Sequence, residues 1–182
     1  VAERLVQSRG FNGFSYADVA SEIGITKAAL HYHFGGKAEL GEALIDRYAL
    51  RFGAALEAID ATGVSCPARL RAYADLYLSV FRDQRMCLCG MLAAEYATLP
   101  EAMRETVVRF FDANYSWLSR LLESGRANGE LQFTGTAEDS ARMIVGSLEG
   151  AMLVARPYAD VGRLESVANL LVNEFGGRSP KE

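Results

Sequence analysis

Residues Ser15 to Lys37, SYADVASEIGITKAALHYHFGGK, read as two short helices joined by a sharp turn. Ser15 is a natural N-cap for a helix over Tyr16 to Ile23, and Asp18 falls in its first turn, where a negative charge suits the helix dipole. Gly24 ends that helix, since glycine takes a positive φ at little cost. Ile25 is expected to turn inward. Thr26 then caps a second helix, Lys27 to Phe34, which Gly35 and Gly36 close. Ala20, Gly24 and Leu30 stand where a helix-turn-helix needs a small packing residue, a turn residue and a core anchor.

The outer face of the second helix carries the chemistry. Lys27, Ala28, Ala29, His31, Tyr32 and His33, followed by Lys37, include no carboxylate, whereas the flanking helices hold Asp18, Glu22, Glu39 and Glu42. Small residues at Ala28 and Ala29 let the start of the helix sit deep in a major groove. There their methyls can touch thymine while the longer side chains reach base edges or phosphate oxygens. The plain alternative is an amphipathic helical hairpin with a polar face.

From Phe11 to Leu40 the pattern F-x-x-F-S-Y-x-D-V-A-x-x-I-G-I-T-K-x-x-L-H-Y-H-F-x-x-K-x-x-L resembles the DNA-binding domain of the TetR family of ligand-responsive transcriptional regulators. The resemblance is continuous over roughly the first fifty residues; beyond them it is one of architecture. It implies that Ser15 and Tyr16 approach phosphate. By the same likeness Thr26, Lys27, Ala28, Ala29, His31, Tyr32 and His33 read or clamp the duplex, and Lys37 holds phosphate at the start of the next helix. Gly35-Gly36 departs from the proline or serine often found at that turn.

The chain has 182 residues, half of them hydrophobic, enough to bury a substantial core. We expect an all-α protein with a helix-turn-helix domain over residues 1–50 and a larger effector-binding and dimerisation domain over 51–178, about nine helices in total. No apolar run suits a membrane span and no leader opens the chain, so a cytoplasmic protein is expected. An N-terminal arm is expected ahead of Val1. Cys66, Cys87 and Cys89 show no disulfide pattern, consistent with a reducing compartment. Net charge is −4, yet residues 1–52 balance six Lys or Arg against six Asp or Glu, while 53–182 hold thirteen against seventeen. A neutral head with cations gathered on one helix can still bind phosphate.

Downstream, Leu40, Leu44, Ile45, Tyr48, Phe52 and Leu56 recur at helical steps from Lys37 to about Ala61. At roughly 1.5 Å per residue, that helix exceeds about 30 Å and would join the two domains. Thr62 to Pro67 breaks the pattern. Further helices are expected from there to Arg82, over Met86 to Thr98, from Pro100 to Asn128-Gly129, from Thr136 to Arg156, and from Asp160 to Phe175. RSPKE at the end reads as a disordered tail.

In IVGSLEGAMLVA, Ile144 to Ala155, helical glycines cost about 1 kcal/mol each relative to alanine, so Gly146, Gly150 and Ala151 suggest close approach of another helix. With Leu164, Val167, Ala168, Leu171 and Phe175 they would form a four-helix interface between two copies, giving a two-fold dimer and a palindromic DNA site. The alternative is a neighbour in the same chain. The central helices are rich in aromatic and thioether side chains. Tyr73, Tyr77, Phe81, Met91, Phe111, Tyr115 and Met152, with Tyr96 and Trp117, can line an effector cavity or simply pack a core. Glu95, Asn114 and Arg142 would orient a ligand or reach solvent.

Cys87 and Cys89, two apart on a helix, point about 200° apart and cannot chelate one metal; His31 and His33 fail likewise. Burial as small hydrophobes is expected for the cysteines, against redox or electrophile sensing. No metal or other cofactor is expected. The leading expectation is a homodimeric regulator, usually a repressor, bound to a palindromic operator in double-stranded DNA and released by a small-molecule effector that tilts the long helix. The alternative is an α-helical enzyme using a cysteine or Glu95 in the central cavity.

Overall fold

The computed structural model describes residues 1–176. The expected RSPKE tail, Gly177 and the proposed domain limit at 178 lie outside the described residues. Among the described residues there are nine α-helices and no strand. They are α1 (Ala2–Arg9), α2 (Tyr16–Ile23), α3 (Lys27–His33), α4 (Lys37–Ala61), α5 (Cys66–Arg82), α6 (Leu88–Ala94), α7 (Glu101–Ala127), α8 (Ala137–Ala155) and α9 (Val161–Phe175). Single turns of 3₁₀ helix follow α6 and α8, over Tyr96–Thr98 and Arg156–Tyr158.

The chain divides into two compact units. The first comprises Val1–Phe52 and Arg85–Phe111; the second comprises Gly53–Gln84 and the chain from Asp112 onward. The break after Phe52 lies close to the expected boundary, but the first unit also takes in α6 and the start of α7.

Local chemistry accounts for the helix ends. Ser15 and Asp18 form a capping box: Asp18 N–H donates to the Ser15 hydroxyl, and Ser15 N–H donates to the Asp18 carboxylate at 2.7 Å. Asp18 is therefore a capping partner as well as a charge near the dipole. Gly24 takes φ 79° and lets α2 close with its N–H on the Ala20 carbonyl. Thr26, Thr136 and Asp160 cap α3, α8 and α9 through side-chain oxygens. The helix anticipated over Met86 to Thr98 is shorter. It stops at Ala94, and Glu95 leaves helical geometry before the 3₁₀ turn. Cys87 is the N-cap of α6 rather than part of its body, and its sulfur accepts from Gly90 N–H at 3.5 Å.

In the first unit, Leu5 and Val6 of α1, Phe11, Phe14, Val19, Ala20 and Leu30 form a core with Leu40, Ile45 and Tyr48 of α4 and with Leu92 and Met103. Gly41 is a close approach: a Cβ there would lie 2.5 Å from the Met103 sulfur and 2.9 Å from the Phe11 ring. In the second unit, α5, α8 and α9 pack on one another. Their buried faces bring together Leu70, Tyr73 and Leu78, then Ile144, Leu148 and Met152, then Leu164, Ala168 and Phe175. The three cysteines are buried, as small hydrophobes would be.

Candidate nucleic-acid interface

The α2-turn-α3 unit forms where its sequence predicts, with Leu30 buried and Thr26 Oγ accepting from Ala29 N–H at 3.1 Å, although α3 ends one residue early, at His33, with Phe34 as its extended C-cap. Lys27, Ala28, His31, Tyr32 and His33 are exposed, and Ala29 is partly so. Tyr32 stands 87 % exposed, an unusual position for a large ring that packs only edge-on against His33. No carboxylate lies on this helix. Arg4 pairs with Glu22 of α2, and Arg51 pairs with Glu3 at 2.6 Å. On α3 itself Lys27 is the one Lys, Arg, Asp or Glu, and it is exposed.

Three expected contacts are corrected by the structure. Tyr16 is buried in the core and its hydroxyl donates to the Phe34 carbonyl at 3.2 Å, so it ties α2 to the end of α3 rather than reaching for phosphate. Burial and then Glu39 push its phenol above the ordinary tyrosine range. Lys37 turns inward. Its ammonium donates to the Phe11 and Phe14 carbonyls and lies over both rings, 4.7 and 4.2 Å from their centroids. Burial, partly offset by Glu95 and Asp18, holds it below the ordinary lysine range. Ile25 is exposed rather than tucked inward. Ser15 keeps its surface position, but its hydroxyl donates to Asp18 at 2.7 Å. The Gly35-Gly36 turn is closed by Glu39, whose carboxylate accepts from Gly35 N–H.

The expected effector residues separate. In the second unit, Tyr73, Tyr77, Phe81, Asn114 and Met152 are buried. The Tyr73 hydroxyl donates to Asn114 Oδ1 at 3.1 Å and lies 3.1 Å from the Tyr77 hydroxyl. Trp117 stacks on Tyr73 at 5.6 Å and donates its indole N–H to Asp60 at 2.9 Å. Tyr115 is half-buried, and burial, with Asp112 next, raises its phenol. Arg142 is instead exposed on α8 and paired with Glu138 and Asp139, though its charge still acts on the Tyr115 phenol. Met91, Glu95 and Phe111 belong to the first unit. Glu95 spends its carboxylate on backbone N–H groups of Phe11 and Asn12, not on a cavity.

The expected dimer set also needs sorting. Leu164 and Phe175 are 0 % and 2 % exposed within the chain and cannot serve an interface. Periodicity passed over four other apolar residues that the structure leaves exposed: Met143, Leu153 and Val154 on α8 and Leu170 on α9. Gly146 and Gly150 share the outward side of α8, and a Cβ on either would meet nothing within 4 Å. Ala151, Val167 and Leu171 are partly exposed beside them. A single helix is apolar on two sides here, and the periodic pattern alone could not say which side the chain covers.

Residues 1–44 match the family model for bacterial regulatory proteins of the tetR family, and residues 66–171 match that for the tetracyclin repressor-like C-terminal domain. The chain belongs to the TetR family. Among solved structures it is similar to a TetR-family transcriptional regulator from Agrobacterium tumefaciens, 31 % identical with a TM-score of 0.93, covering 97 % of this chain and 94 % of that one. It is also similar to reduced Escherichia coli NemR, 26 % identical with a TM-score of 0.85, covering 98 % and 94 %. A further relative is the transcriptional regulator AcuR of Cereibacter sphaeroides, 26 % identical over 152 residues, 81 % of this chain and 69 % of the relative. As a TetR-family member the chain is a DNA-binding transcriptional regulator. No helix among its described residues is long and apolar enough to cross a membrane.

Proposed function

We propose that this TetR-family chain is a homodimeric repressor. It binds a palindromic operator through α3, and a small molecule held among the helices of the second unit releases it. As a regulator of DNA it would work in the cytoplasm. The observation that carries this reading is the uncovered face of α8, where Gly146 and Gly150 meet nothing within 4 Å and Leu153 and Val154 lie exposed at 53 % and 64 %. Apolar side chains around low-profile glycines suit a second copy of the same face, packed by a two-fold axis. Two reading helices related by that axis would enter successive major grooves about 34–36 Å apart, which makes the operator an approximate palindrome.

Effector binding is supported by the Tyr73, Tyr77 and Asn114 cluster, a small set of polar groups within aromatic surroundings, the composition of a ligand site. Lys27, Ala28, Ala29, His31, Tyr32 and His33 are the proposed readers, with Thr26 and Ser15 at the helix starts. In the enzyme alternative, which would use a cysteine or Glu95, the Glu95 carboxylate is held by backbone N–H groups.

The test is selection of duplexes from fragmented genomic DNA by the purified protein, read by sequencing at moderate and raised salt, with the protein's mass measured by light scattering. A few palindromic sites and a dimeric mass are expected. A monomer with only diffuse, salt-labile binding would overturn the proposal.

A further inference from the structure

Glu95 stands just past the end of α6, and its carboxylate reaches a loop more than eighty residues earlier in the sequence. One oxygen accepts from Phe11 N–H at 2.5 Å; the other accepts from Asn12 N–H and from the Asn12 side-chain amide, both at 3.3 Å. That amide also donates to Thr98 Oγ at 2.8 Å. Gly10, at φ 83°, makes the approach possible, because a Cβ there would lie 2.8–3.0 Å from the Glu95 carboxyl group. Four residues upstream of Phe11, the Gln7 carbonyl accepts from Met86 N–H at 3.1 Å, and its side-chain oxygen accepts from Arg85 at 3.3 Å. The carbonyls of the same loop are held by Lys37.

The loop from Gly10 to Phe14 is therefore pinned by its N–H groups to the end of α6 and by its carbonyls to the start of α4. It leads directly into Ser15, the cap of α2, so its position sets where the helix-turn-helix begins. The two elements that grip it are also the two through which the first unit continues covalently into the second: α4 at Phe52–Gly53, and the segment holding α6 at Gln84–Arg85 and Phe111–Asp112.

We propose that Glu95 is the positioning residue of the DNA-reading head: its carboxylate fastens the Gly10–Phe14 loop to the end of α6 and thereby sets where α2 and α3 stand when they meet DNA. This rests on the DNA-binding reading above. A carboxylate accepting three N–H groups forms charge-assisted bonds that hold a loop more firmly than neutral ones. Replacing it leaves the loop with N–H groups that must find water, and the start of α2 loses its reference.

The experiment uses duplexes selected from a random library by the wild-type protein. Binding constants for E95Q and E95A are measured per folded molecule, alongside amide hydrogen exchange. E95A is expected to weaken duplex binding about tenfold, within the usual range of coupling between sites. Exchange should quicken at Phe11 and Asn12 while the amides of α5 and α9 keep their protection. E95Q retains one carbonyl acceptor and should fall between E95A and wild type. G10A, which presses a methyl into the same joint, should weaken binding as well. Equal binding by folded wild-type, E95Q and E95A protein overturns the positioning role, as does weakened binding that tracks only a loss of folded protein. A wild-type protein that selects no duplex overturns the DNA-reading premise itself, whatever the exchange at Phe11 shows.

Discussion

Two lysines at the head of this molecule do opposite things. Lys27 is exposed on α3, the proposed reading helix, whereas Lys37 is spent inside on the Phe11 and Phe14 carbonyls. K27A is expected to weaken binding to all duplexes alike and to lower the slope of log affinity against log salt by about one for each copy bound, as loss of a phosphate contact does. K37M should leave the reading face intact but destabilise the first unit by about 2 kcal/mol, because two charge-assisted bonds vanish and two carbonyls are left unpaired. Urea unfolding and duplex titration of the two variants separate these effects. Sequence spacing could not have distinguished the lysines. The partners of Lys37 lie 23 and 26 residues away, and only the folded loop brings their carbonyls to it. Tyr16 was opaque for the same reason, since its hydroxyl partner is 18 residues downstream.

At the level of elements, what is local was legible. Ser15 with Asp18, Gly24, Thr26 and Asp160 carry capping chemistry that acts over two to four residues, so their placement follows from the sequence itself. The Ser15 hydroxyl and N–H hold the Asp18 carboxyl below the usual carboxylate range. A carboxylate whose folded value is depressed contributes stability that is complete above its unfolded value, near pH 4, and is lost as the pH falls through the folded value. Thermal unfolding of wild-type and D18N protein should therefore differ at neutral pH and converge in acid. The faces of α8 and α9 were legible only as apolar. Leu164 and Phe175 turned out to face their own chain, and Leu153, Val154 and Leu170 do not. On an isolated exposed helix, alanine in place of Gly146 or Gly150 would stabilise by about 1 kcal/mol. At a close helix crossing, G150L should instead weaken self-association at least tenfold, which sedimentation equilibrium measures.

For the whole molecule, the sequence shows the family pattern fading near residue 50, while the helical periodicity of α4 runs on through that point to Ala61. The return of Arg85–Phe111 to the first unit could not be read there, since it depends on contacts such as those of Glu95 that join distant parts of the chain. The balanced charge of residues 1–52 and the ion pairs of Arg4 and Arg51 leave few cations to release counterions. Operator affinity should consequently fall more gently with salt than for strongly basic binders. Trp117 has a consequence of another kind. It is the chain's one tryptophan, buried in the second unit, stacked on Tyr73 with its indole N–H on Asp60. Ultraviolet emission excited near the red edge of protein absorption therefore comes from that unit alone and leaves the reading head dark. The molecule carries its own optical gauge for melting, quenching or ligand entry there, and W117F would serve as the blank.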